Sequence, residues 1–227
     1  MKKINLLLIC FFLLSGGLKA QTETPTNKWF VTFSTGFCIG APGVSIDDAM
    51  TNQSFDLPSQ GWFGNTTYPV TSTKPTALVM LGKRITKYGS LYLVVGQPTG
   101  GQVAGYNGVS VVSFDYHVLQ FTLGYQFSFP NTRFKLGVGP SLFTFKNIPE
   151  ADYKHVSEES SSVAGATLTL RMPFGKEKKL CGIEFFGLLN LAPSVKWGEI
   201  KNLGRTFQAG SVSMSYAIIG ISFALRG

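Results

Sequence analysis

The sequence predicts an all-β fold, a membrane-spanning antiparallel up-and-down barrel of about eight strands. Three observations predict it. Strand-length stretches recur in which every second residue is large and apolar, as in Trp29, Val31, Phe33, Phe37 and Ile39 against Thr32, Ser34, Gly36 and Cys38, and period two means a strand with two unlike faces. The connections between these stretches alternate long and short, as they do between the two rims of a membrane barrel. Charged residues make up only 14% of the chain, against roughly 25% in a typical soluble domain. Past the N-terminus, glycines and polar residues interrupt every apolar run, and a bilayer-spanning chain without apolar helices must close as a barrel to satisfy its backbone.

In chain order, Lys2-Lys3, the apolar stretch Ile4 to Leu14 and the small residues Ser15 to Gly17 read as a secretory signal peptide, 1–20, cut after Ala20. Residues 21–28 form a short periplasmic segment and 29–227 the barrel domain. Strands are expected at 29–39, 76–85, 90–97, 111–128, 133–145, 163–174, 180–192 and 211–225. Short turns fall at 86–89, 130–132 and 175–179, and long loops at 40–75, 98–110, 146–162 and 193–210.

Outward faces are assigned from Leu119, Phe121, Leu123 and Tyr125, from Leu136, Val138 and Leu142, and from Leu168 and Leu170, with Val163 an exception to its strand. For 76–85 and 90–97 they are read from Val79 and Leu81 and from Leu91, Leu93 and Val95. A soluble barrel with these residues inside is the competing reading. It fails on volume, because eight strands enclose an interior only just filled by side chains.

Two strands change phase: Val112, Phe114, Tyr116 and Val118 give way to Leu119 onward, and Val212, Met214, Tyr216 and Ile218 to Ile219 onward. Either a β-bulge inserts one residue at each switch, or the upper halves project beyond the hydrocarbon where no pattern is enforced.

Removal of Lys2, Lys3 and Lys19 lowers the formal charge from +8 to +5. The basic residues Lys83, Arg84, Lys87, Arg133, Lys135, Lys176, Lys178, Lys179 and Arg226 gather near the short turns and the C-terminus, where long side chains snorkel to an interface. That placement is a membrane rim and no nucleic-acid footprint.

Ser113, Asp115 and His117 share one strand face and suggest a hydrolase. The order along the strand puts Asp115 in the middle, where a triad needs the histidine, so a lumenal polar cluster at the outer rim is the expectation. Cys38 and Cys181 lie on separated strands and stay unbridged. The chain has no phosphate-binding glycine motif, Cys-x-x-Cys pair or His-Glu-x-x-His run, so no catalytic residue, cofactor or metal is assigned. A lumenal ion pair is expected between Arg171 and Glu184, in a register that also pairs Phe174 with Cys181; it is either a gate or simple neutralisation of a packed interior. Trp62, Phe63 and Tyr68 of the first long loop form the expected recognition surface.

The signal peptide, the eight alternating strands, Gly137-Val138-Gly139-Pro140 and the terminal Ile219 to Leu225 resemble the small outer-membrane β-barrel proteins. These are the OmpA-barrel, OmpX and OmpW-like group, particularly its Bacteroidetes versions. Such barrels commonly end on an aromatic residue, whereas this chain ends Leu225-Arg226-Gly227. The resemblance implies a Gram-negative cell outer membrane, lipid as a partner, and a non-enzymatic role in binding, adhesion or envelope integrity with an extracellular ligand or envelope protein. Three other roles stand beside it: porin-like, OmpW-like passage of small apolar solutes, membership of a larger envelope or secretion complex, and lipid-modifying catalysis.

Overall fold

The computed structural model describes residues 29–40, 42–61, 64–129, 132–151, 154–156, 158–174, 181–197 and 210–226. The expected signal peptide and the segment 21–28 lie outside these. Eight strands form the wall: β1 (Trp29–Gly40), β2 (Ala77–Arg84), β3 (Gly89–Tyr106), β4 (Val111–Ser128), β5 (Lys135–Ala151), β6 (Glu159–Phe174), β7 (Cys181–Leu191) and β8 (Tyr216–Arg226). Each pairs antiparallel with its sequence neighbour, and β8 returns to β1 through Phe30↔Arg226 to Gly40↔Tyr216, closing the barrel. Closure removes the sheet edges that lipid would not satisfy.

Three differences from the expected elements have physical causes. The loop expected at 98–110 shrinks to 107–110, because β3 runs on to Tyr106. Its register slips between Gly96 and Thr99, so that Gln97 and Pro98 oppose the single residue Leu119, with Gly96 at φ 148°. This bulge lies one strand away from the place the phase change suggested. The first long loop contains a helix, α1 (Gly43–Asn52), whose Gly43, Ile46 and Met50 are buried at helical spacing. The segment Val70–Lys74 then forms a short strand on the upper part of β3, Val70↔Ala104 to Lys74↔Gly100.

Of the two expectations for the phase change, a bulge in β4 itself is absent, whereas projection of the upper halves beyond the hydrocarbon holds, with an enforced pattern of its own. Along β4 the even residues Val112, Phe114, Tyr116 and Val118 are at most 1% exposed, while the odd residues Leu119, Phe121 and Leu123 are 41%, 50% and 55% exposed. Gln120, Thr122 and Gln126 continue the buried even set, so the facing of side chains never switches and β4 contains no register slip at this step. What switches is polarity. Val212, Met214, Tyr216, Ile218, Ser222 and Ala224 are likewise all buried, so the same inversion runs along the end of the chain. Val163, the apparent exception, is the inward member of its strand, packed against the apolar cluster of the upper interior.

The outward apolar band runs from Leu119 of β4 to Phe129, the residue just past its end. Ten residue steps at about 3.4 Å, tilted by about 45°, give roughly 24 Å, the height of the apolar band of an outer-membrane barrel. Val79, Leu81, Leu91, Leu93 and Val95 face outward as expected. Above Leu119 the outer face is polar, with Asp115, Gln102, Lys146 and Ser160. The barrel therefore rises out of the hydrocarbon into water, and its outside and inside exchange character at that level.

Candidate functional site

The lumen is the only interior that eight strands provide, and it is built in two layers. The lower layer starts from strand parity, which places Arg171 of β6 and Glu184 of β7 inside. The ladder pairs Arg171 with Phe186 and Pro173 with Glu184, two residues away from the register expected from the sequence. The side chains still meet on the diagonal: Arg171 Nε donates to Glu184 Oε2 at 2.7 Å, and Nη2 contacts the same oxygen. Arg226 Nη2 contacts Glu184 Oε1. Arg171 Nη1 also reaches Gln126 Oε1 at 3.3 Å, and the guanidinium lies 5.0 Å from the centre of the Phe30 ring. Glu184 is 0% exposed, so two guanidiniums offset the cost of burying its charge.

Next above lies a neutral network. Gln120 Nε2 donates to Thr122 Oγ1 at 2.8 Å, Thr167 Oγ1 at 3.0 Å and Asn190 Oδ1 at 3.2 Å. Thr167 donates to Asn190 Oδ1 at 2.7 Å, and the Ser141 hydroxyl bonds to those of Thr167, at 2.6 Å, and Thr122, at 2.7 Å. Five side chains from four strands are thus tied across the lumen, and a buried network with its members paired rigidifies the interior. Leu78, Met80, Val94, Phe186 and Leu188 fill the other side. The Tyr92 ring lies on Gly124 and Gly137, where a Cβ at Gly137 would stand 2.8 Å from Tyr92 Cε1. The cavity bounded by Thr32, Ser34, Met80, Arg171 and Ser222 measures about 10 Å³, at the lower limit for a single water.

The upper layer is an apolar core. Phe114 meets Trp197 edge to face at 4.5 Å, Tyr116 stacks on Phe145 at 6.2 Å, and Phe143 meets Tyr216 at 6.3 Å. Ile46 and Met50 of α1 complete it, both 0% exposed. Gly105 of β3 gives α1 its seat, since a Cβ there would stand 2.8 Å from Met50 Sδ and 2.7 Å from the Phe55 carbonyl oxygen. The Asp47 carboxylate accepts from Thr71 at 3.0 Å, tying α1 to Val70–Lys74. Among the described residues no ladder joins Thr35–Gly40 of β1 to Val70–Lys74; the β1–β2 pairing stops at Ser34↔Leu78, and Thr76 N–H donates to the Gly36 carbonyl at 3.2 Å beyond it. This leaves a seam in the upper wall that α1 bridges: it follows β1 in the chain on one side, bonds to Thr71 on the other, and its Ser45 Oγ accepts from Ser213 N–H at 3.4 Å.

Ser113, Asp115 and His117 are not lumenal, because the even residues of β4 take the inside. They lie on the outer face above the band. Ser113 donates to Glu150 Oε2 at 3.2 Å, and Asp115 pairs with Lys74 at 2.7 Å with both side chains well exposed. Trp62 and Phe63 lie outside the described residues. Tyr68 is half-buried and packs on Tyr106 with ring centres 6.0 Å apart. Neither Cys38 nor Cys181 is in a disulfide; Cys38 faces in and Cys181 is exposed.

No protein-family model and no curated protein matches the chain. Solved structures similar to it include Neisserial surface protein A, at 10% identity over 89% of this chain and 99% of that chain with a TM-score of 0.43. The outer membrane protein OprG from Pseudomonas aeruginosa is similar at 11% identity over 89% and 98%, with a TM-score of 0.49. The outer membrane protein AlkL, in lipid bilayers, is similar at 10% identity over 92% and 93%, with a TM-score of 0.40. The assignment rests on the chain's own wall. Eight strands joined in a ring, with apolar side chains facing outward over the height of a bilayer core, have one physical solution, a membrane-spanning β-barrel, and the chain has the fold of the small eight-stranded outer-membrane barrels.

Proposed function

We propose that the protein is a non-enzymatic, non-conducting outer-membrane barrel that serves as a rigid pedestal, presenting its upper wall and long loops for binding, adhesion or envelope integrity. The observation that carries this reading is the filled lumen. A solute entering from above meets a packed apolar core, and below it a charged and hydrogen-bonded layer in which the cavity beside Arg171 measures about 10 Å³, about the size of one water. Binding residues are disproportionately placed on loops held by a rigid scaffold, and the first long loop, with Trp62, Phe63 and Tyr68, is the proposed recognition surface. Planar-bilayer recording tests the proposal. The expected result is no conductance above the bare bilayer for the native protein; stable unitary openings would overturn it.

The seam between Thr35–Gly40 and Val70–Lys74 favours a second reading, passage of small apolar solutes that leave sideways through the wall after α1 moves. Uptake of an apolar solute by proteoliposomes separates the two. The pedestal gives uptake equal to empty liposomes, and the passage gives faster uptake without ionic conductance.

A further inference from the structure

We infer that the short-turn rim of the barrel is a selective surface for anionic phospholipid headgroups, centred on Lys83. Charge distribution is the first support. Among the described residues the short-turn half of the barrel carries seven cations, including Lys83, Arg84, Lys87 and Arg133 at its rim, against the single carboxylate of Glu184. Glu184 is buried and already engaged by Arg171 and Arg226. The long-loop half reverses the balance, with seven described carboxylates against the four lysines Lys74, Lys146, Lys154 and Lys196.

Placement in the wall is the second support. Lys83 pairs with Trp29 on one side and Leu91 on the other, and Leu91 pairs with Tyr125, so one outward row reads Trp29, Lys83, Leu91, Tyr125. The Lys83 ammonium lies 5.2 Å from the centre of the Trp29 ring, and that of Lys87 lies 5.5 Å from Tyr88. Aromatic rings and long basic side chains at the end of an apolar band lie at headgroup depth. Among the described residues Lys83, Arg84 and Arg133 have no carboxylate in ion-pair reach. The row is continuous with the lipid-facing Leu81 and Val95, so the phosphodiester of a lipid, rather than a soluble acidic protein, is the anion that meets it.

Electron spin resonance of the protein reconstituted in bilayers, with spin-labelled phosphatidylglycerol compared against spin-labelled phosphatidylcholine, tests the inference. One basic residue engaged at the surface corresponds to about a fivefold preference, so the wild type is expected to favour phosphatidylglycerol by at least that factor at low salt and less at high salt. The combined Lys83→Gln, Arg84→Gln, Lys87→Gln, Arg133→Gln variant is expected to bring the two lipids to parity, while Lys74→Gln with Lys146→Gln keeps the preference. Heat-dependent gel mobility checks that each variant is folded; if the fourfold variant is not, Lys83→Gln alone and the salt titration of the wild type carry the test. Equal association of both lipids with the wild type would overturn the inference. So would a preference unchanged in the rim variants, or one abolished by millimolar inorganic phosphate, which would mark a soluble-anion site.

Discussion

The two halves of this barrel obey opposite rules with one backbone. Below Leu119 lipid is outside and the interior holds a charge cluster and an amide–hydroxyl network; above it water is outside and the interior holds Phe114, Tyr116, Phe143 and Trp197. The same strand β4 crosses both halves without a change of facing. Side-chain polarity is thus set by the medium on each side of the wall and not by the strand, so alternation read without knowledge of the medium mistakes a change of solvent for a change of register.

The comparison breaks most visibly at Glu184. Glu184→Gln removes the carboxylate that the buried Arg171 and the partly exposed Arg226 both contact, a loss of about 3–5 kcal/mol, expected as a lower urea midpoint in reconstituted bilayers. A double-mutant cycle of Arg171→Met with Glu184→Gln should give strong coupling, and additive effects would dissolve the lower layer as a unit. A charge placed on the outer face then sharpens the boundary. Leu123→Lys, near the middle of the band, is expected to cost about 2–4 kcal/mol, whereas Gln102→Lys, on the outer face of the upper half, should change stability by no more than about 0.5 kcal/mol. Equal costs would mean that the upper half is also in lipid. The smallest effect is expected at Lys74–Asp115: both side chains are exposed, and Lys74→Met should cost less than about 1 kcal/mol in water. A larger loss would place that pair in a low-dielectric setting and move the boundary upward.

The lower half was legible in the sequence because two unlike media enforce alternation on most rungs, β2 and β3 being apolar on both faces at Leu78, Met80 and Val94. The outward faces read from Trp29, Val31 and Phe33, from Val79 and Leu81, and from Leu91, Leu93 and Val95 are the ones the wall shows. Register was less legible: period two is indifferent to a shift of two residues, so Arg171↔Glu184 and Arg171↔Phe186 preserve the same faces, and the ladder takes the second. Side chains long enough to reach diagonally let the ion pair survive that error. The upper half was misread for a different reason. Gly100, Gly101 and Gly105 read as a loop in the sequence, whereas in the wall they leave β3 bare so that other groups can approach it, Tyr116 at Gly101 and α1 at Gly105. Ile46 and Met50, four apart with Gly43 before them, were the available signal for α1, but one turn of apolar spacing is weak beside ten residues of strand alternation.

The polar outer face of the upper wall has a consequence for biogenesis. Asp115, Lys146 and Glu150 belong to strands that reach the far side of the bilayer only by passing through it, and cations on a lipid-facing surface cost about 2–4 kcal/mol each at the midplane. Threading the upper halves is therefore the steep part of insertion. The same groups make the step one-way: once Asp115 and Lys146 emerge into water they resist re-entry, and the apolar core closing behind them holds the barrel at a fixed depth, as a rivet is held by the head formed after it has passed through the plate.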